Sequence, residues 1–250
     1  MYQTIKVLIR VLLLGLVFIM ALSLSANPGF ALDTEAGNDM SSHQLDMALN
    51  HALGMTLEGY NLVMLGSMDI TTGVDELSVE HGTMMKKNGT AMWNQIMSGS
   101  AMQSFHHSGK KPLKDPGMAY THELGEKQLV IFSLLDEMSS LEKGPGMEMH
   151  HQHVMLNQAL KMALMGANSI IMGEMGMAKD VDEIAVEHGR MMLKNARALF
   201  NDIMSGMTMM NMHKRGMTPE SNALMKYTHM LAEAELQVLT ILDEMPGVKK

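Results

Sequence analysis

VEHGTMMKKNGTAMWNQIMS, residues 79–98, returns 107 positions later as VEHGRMMLKNARALFNDIMS, residues 186–205. Extended both ways without a gap, the match runs from His43–Met138 onto His150–Met245, with 43 identities in 96 positions. Tyr120-Thr121-His122 aligns with Tyr227-Thr228-His229, and Leu135-Asp136-Glu137-Met138 with Leu242-Asp243-Glu244-Met245. Agreement this dense over this length is duplication, so the chain carries two tandem copies of one unit. Residues 139–149, which contain Gly and Pro, read as the linker between them.

Each unit reads as three helices. The first is expected from Ser42 to Met68, the second from Val74 to about Met97, and the third from about Gly117 to Met138. Val74, Leu77, His81, Met84/Met85, Asn88 and Met92 recur at three- and four-residue steps, the spacing of one helix face. Met118, His122, Gly125, Leu129 and Phe132 do the same on the third helix. Between the second and third helices a Ser-Gly break suggests a loop ending near Pro116, and Thr218-Pro219-Glu220 reads as a helix start in the second copy. Strand patterns are nearly absent. The expected fold is all-α: two tandem homologous three-helix units forming one or more helical bundles.

Ahead of the first unit, Lys6 and Arg10 precede an apolar run of 14, Val11 to Leu24, and Gly29-Phe30-Ala31 supplies a small-x-small cleavage pattern. Residues 1–31 therefore read as a signal peptide, with cleavage after Ala26 an alternative. The run is short for a membrane-spanning helix, which makes an uncleaved anchor the lesser reading. Residues 32–42 follow as a short linker, and 246–250 form a tail. The expected location is periplasmic or otherwise exported, with no membrane attachment after cleavage.

The chain carries a net charge of −8, which disfavours nucleic acid as a partner. It has no cysteine, which excludes disulfides, thiolate nucleophiles, zinc ribbons and c-type haem attachment. Methionine is the outlier, at 33 residues against five Phe and one Trp. Many of these methionines replace Leu and Phe in helix cores. Others crowd segments that read as loops.

Four histidines recur: His43/His150, His81/His188, His106/His213 and His122/His229. His81 stands three and four residues before Met84 and Met85, which stacks imidazole and thioether on one face; His188, Met191 and Met192 repeat the arrangement. Met118-x-x-x-His122 and Met225-x-x-x-His229 offer the same pair on the third helix. If the second and third helices face each other through these stripes, two His and two or three Met converge in each unit. Asn88/Asn195 and Glu126/Glu233 then become supporting groups. A neutral, soft thioether suits Cu(I) or Ag(I) and has little affinity for Mg or Ca. The plainer reading makes His81 and His122 satisfied core histidines among ordinary core methionines.

Two segments add candidate ligands. Met204 to Met217 holds Met207, Met209, Met210, Met212, His213 and Met217 across a Gly-interrupted stretch, and its thinner counterpart keeps Met97, Met102, His106 and His107. Helix packing does not call for so many thioethers in a loop. Gly146 to His153 offers His150, His151 and His153, able to take Cu(II), Zn or Ni.

This dense Met/His usage, with an export signal and no Cys, resembles the Met/His-rich periplasmic proteins that bind copper or silver for resistance or delivery. The resemblance is compositional and rests on Met207 to Met217 and His81 to Met85. It implies a non-enzymatic Cu(I) binder, with silver as an alternative ion, acting in storage, buffering or delivery to a copper efflux or acceptor protein. The chain departs from disordered silver binders in its strong helical patterning and from cupredoxins in lacking strand signals.

Three other readings compete. A b-type haem bundle would use facing His–His or His–Met pairs, though aromatic residues are sparse. A carboxylate-bridged di-iron site lacks its Glu-x-x-His motif. A structural or interaction protein would use methionine as a pliable surface, and an oxidant sink would cycle it to sulfoxide. Hydrolase motifs are missing.

Overall fold

A computed structural model describes residues 42–68, 73–109, 115–141, 147–176 and 179–245. The signal segment and the linker at 32–41 lie outside the described residues, as does the tail at 246–250.

The described residues are helical and include no strand. The first unit contributes α1 (Ser42–Ser67), α2 (Val74–Ser98), the short α3 (Ser100–His107) and α4 (Pro116–Leu141). The second repeats them as α5 (Met147–Glu174), α6 (Lys179–Ser205), α7 (Met207–Lys214) and α8 (Ala223–Glu244). The all-α fold of two tandem units, each with three long helices, is thus as the sequence indicates. One addition is a short helix in each stretch read as loop. A second difference is the start of α8. Thr218 and Ser221 close a turn, and the Asn222 side chain caps the helix by accepting from Met225 N at 2.9 Å. Its counterpart Asp115 caps α4 in the same way, accepting from Gly117 N and Met118 N.

Four helices make the centre. α1 packs on α5, α4 on α8, and α1 and α5 pack on α4 and α8 of their own units. α2 and α6 lie outside this core, against α1 and α5. Leu45, Leu49, Leu53, Leu57, Tyr60 and Met64 of α1 are buried at four- and three-residue steps, and Leu156, Leu160, Leu164 and Ile171 repeat the stripe in α5. These residues belong to a single hydrophobic core shared by both units. The helices of the two units meet in antiparallel pairs about a pseudo-twofold axis. Asn50 Nδ2 donates to Asn168 Oδ1 at 2.9 Å, and the symmetry-equivalent Asn157 Nδ2 donates to Asn61 Oδ1 at 2.7 Å. Buried side-chain amides tolerate few alternative pairings, so these bonds fix the register of α1 on α5.

The outer helix docks by its glycines. A Cβ at Gly82 would stand 2.5 Å from Gly59 O, and one at Gly89 would stand 2.6 Å from Ala52 O. α1 and α2 therefore meet backbone to backbone, and α5 and α6 repeat the contact at Gly166 and Gly189. Gly82, Gly89, Trp93 and Ile96 form the buried face of α2. Most of the stripe expected to be the core face points outward: Val74, Leu77, His81, Met84 and Asn88 are exposed, while Met85 and Met92 are half-buried. The reason is steric. Helices approach most closely where side chains are absent, and apolar periodicity overlooks such a face.

Candidate metal centre

His106 sits near the end of α3, one turn after the buried Met102. The Asp115 cap starts α4 so that His122 falls one turn after the buried Met118. Each helix thus presents Met-x-x-x-His, and the two histidines meet. Their Nε2 atoms are 3.0 Å apart, and the rings stack at 14° with centroids 5.2 Å apart. α7 and α8 repeat the arrangement: His213 and His229 have Nε2 atoms 3.1 Å apart and rings at 21°. Met209 and Met225 stand one turn before them, both buried.

A third thioether approaches in the first unit. The Met97 sulfur lies 2.8 Å from where a Cβ at Gly125 would be, three residues beyond His122. Its counterpart Met204 is half-buried against the core, and Ala232 stands at the sequence position of Gly125.

Burial first, and the neighbouring His106 second, lower the pKa of His122, while Glu126 partly opposes them. His229 is lowered by burial and by His213, with Glu220 opposing. At neutral pH these two imidazoles are uncharged, so two outcomes are open to each pair. One ring donates N–H to the other's lone pair, or both lone pairs point at a shared cation. Two metal–nitrogen bonds of ~2.0–2.1 Å at a tetrahedral angle hold their nitrogens about 3.3 Å apart, a few tenths of an ångström beyond the observed spacing. Among the described residues no three His, Asp or Glu side chains gather to hold a metal ion. The buried side chains one turn before the rings are thioethers, soft donors.

The ligand sets expected from the sequence divide sharply. Met118 with His122 and Met225 with His229 lie at the paired centres. His81, Met84 and Met85 do not join them, nor do His188, Met191 and Met192. α2 and α4 run antiparallel, with Lys86 beside Asp136, Trp93 against Phe132 and Met97 against Gly125. His81 precedes Met97 by 16 residues, about 24 Å along a helix rising 1.5 Å per residue, so it lies at the far end from His122. His81, Met84, His188 and Met191 face solvent, while Met85 and Met192 are half-buried. His106 and His213, expected as auxiliary groups, are instead the direct partners of His122 and His229.

The Met-rich stretch also changes meaning. Met209 and Met212 are core residues of α7, Met217 is half-buried, and Met207 and Met210 are exposed. Part of the methionine density is thus ordinary packing in a helix that the glycine at position 206 had disguised. In the stretch opening α5, His151 is exposed but His150 and His153 are buried, so the three do not form a surface chelate. The signal for the true pairing was present as Met-x-x-x-His at 102/106 and 209/213, which matches the spacing at 118/122 and 225/229.

No family model, no curated protein and no solved structure matches the chain.

Proposed function

We propose that this protein binds soft monovalent metal, Cu(I) or Ag(I), at two equivalent centres built on His106/His122 and His213/His229. The supporting observation is the approach of two imidazole nitrogens to 3.0 Å in one unit and 3.1 Å in the other, with buried thioethers one turn from all four rings. A thioether needs no deprotonation, so it stays a ligand in mild acid where a thiolate would not. The reading places the protein in an exported compartment, holding, buffering or passing on copper without catalysis, with an efflux or acceptor protein as partner. Axial haem ligation is less well served. It needs nitrogens on opposite sides of the iron, about 4 Å apart at twice a bond of ~2.0 Å, with a macrocycle between rings that here stack on each other.

The test is a competition titration of the purified protein with Cu(I) against a chromophoric chelator under reducing conditions. Wild type should withhold at least two ions per chain, with a rise in melting temperature. His122→Ala with His229→Ala should abolish this tight pair, and His81→Ala with His188→Ala should leave it intact. A chain lacking His122 and His229 that still withholds as many ions as wild type would sink the proposal.

A further inference from the structure

The end of the bundle where α5 begins contains a group of polar side chains that the paired centres do not use. Met149, His150 and His153 of α5 are buried, as is Thr228 of α8. Thr228 Oγ1 donates to Leu224 O at 2.8 Å, within its own helix. The same oxygen lies 2.6 Å from His153 Nε2 and 3.5 Å from Met149 Sδ. A hydroxyl has one proton. With it committed to Leu224 O, the 2.6 Å contact is His153 Nε2–H donating to Thr228, and the ring's other nitrogen is bare. The opposite tautomer would bury an N–H with no acceptor, the less tolerated of the two kinds of orphan.

His153 Nδ1 has no hydrogen-bond partner, and neither has His150 Nδ1. The two residues stand three apart on one helix, the spacing at which side chains meet. Two enclosed, unpartnered imidazole nitrogens beside a thioether form an unusual group, because buried polar atoms are normally satisfied.

The first unit shows what this position looks like without such a demand. Its equivalents are Ser42, His43, Asp46 and Thr121. Thr121 Oγ1 lies 2.7 Å from Asp46 Oδ1 and 3.0 Å from Gly117 O of its own helix, and His43 is exposed. The carboxyl and the hydroxyl partner each other, with no ring nitrogen between them. Only the second unit replaces Ser by Met and Asp by His, and only there do ring nitrogens lie buried and open.

We infer that the second unit holds a third soft-metal site, closed within the end of the bundle, in which Nδ1 of His150, Nδ1 of His153 and the thioether of Met149 take Cu(I) or Ag(I). Two neutral nitrogens and one neutral sulfur suit a monovalent soft ion, since each is a good donor to it and none adds charge to a dry site. None of its three ligands belongs to the His106/His122 or the His213/His229 pair.

Silver titration of the whole chain, read by native mass spectrometry and by the ring nitrogens of 15N-histidine-labelled protein, tests it. Wild type should take three Ag(I), with the Nδ1 resonances of His150 and His153 moving together on one ion. His153→Asp copies the Asp46–Thr121 pair of the first unit, so it should fold, with an unchanged urea midpoint within error, and take two ions. The H122A/H229A chain separates this site from the paired centres: it should keep one ion, lost on adding H153D. Unmoved His150 and His153 ring nitrogens in saturated wild type would overturn the inference. So would an H122A/H229A chain that binds no silver, or an H153D chain that still takes three ions.

Discussion

Glu235→Gln should stabilise this protein, and by more as the pH rises. Glu235 lies in α8 at the centre of the bundle, fully buried, and neither carboxylate oxygen has a partner. Its equivalent in the first unit is Gln128, whose Nε2 donates to Asn50 Oδ1 at 3.3 Å. Asn157, the equivalent of Asn50, has an Oδ1 that accepts nothing. A protonated Glu235 supplies the proton that an amide would, and an ionised one cannot. Burial raises its pKa well above the ordinary 4.5. The folded state therefore holds a proton that the unfolded state has lost once the pH passes 4.5, and stability falls as the pH rises through that window. The slope for one proton is at most about 1.4 kcal/mol per pH unit. Below pH 4.5 the two proteins should agree to within about 1 kcal/mol, the net worth of one hydrogen bond. Between pH 4.5 and 7 the advantage of Gln should widen, to a ceiling of about 3 kcal/mol set by that slope. Asp46, pushed up to about 7 by burial, tilts both curves alike and drops out of the difference. Urea denaturation followed by helical circular dichroism at half-unit steps from pH 4.5 to 8 measures it. A gap that stays constant to within about 0.5 kcal/mol across that range would refute a protonated Glu235.

The close approach of the outer helices gives another expectation. Gly189→Ala places a methyl 2.4 Å from Gly166 O, and backbone cannot step aside as a side chain can, so a loss of about 1–3 kcal/mol should appear in urea unfolding. Gly54, with nothing within 4 Å of its Cβ position, should accept Ala without loss and serves as the control. Within the Met-rich stretch, Met212→Ala removes a fully buried side chain and should lower stability by about 2–5 kcal/mol, whereas Met210→Ala at the exposed face should stay within about 0.5 kcal/mol. Equal effects at the two positions would mean that α7 does not pack as described.

The long helices were readable because their periodicity is sustained. The first was expected from Ser42 to Met68 and spans Ser42–Ser67; the second was expected from Val74 and begins there. What periodicity could not convey was which face of α2 is buried. Apolar side chains at 74, 77 and 84 outweighed glycines at 82 and 89, yet the glycines decide the contact because a missing Cβ admits backbone. That one misassigned face carried His81 into a site lying some 24 Å from it, by the rise of the helix. His122 and His229 were found because their turn carries methionine in both copies. Their partners His106 and His213 were set aside as auxiliary because their placement depends on the short helix and the Asp115 cap, which single-residue patterns convey poorly. The polar layer of buried Asn50, Asn61 and Asn157 with half-buried Asn168 was not singled out, since an amide in a helix reads equally well as a solvated one.

The reciprocal bonds Asn50–Asn168 and Asn61–Asn157 have the form of an isologous interface, in which residue i of one half meets j of the other and j meets i. That is the signature of a homodimer whose two subunits became one chain. While subunits are identical, a buried acid or a buried imidazole near the axis must appear twice, and its cost is doubled. Fusion lifts that constraint. Places where the two copies differ at a buried polar position, such as Gln128 against Glu235 and Asp46 against His153, are changes that a symmetric ancestor would have had to accept in duplicate. The covalent link is thus what allows one half of the molecule to acquire chemistry that the other half lacks.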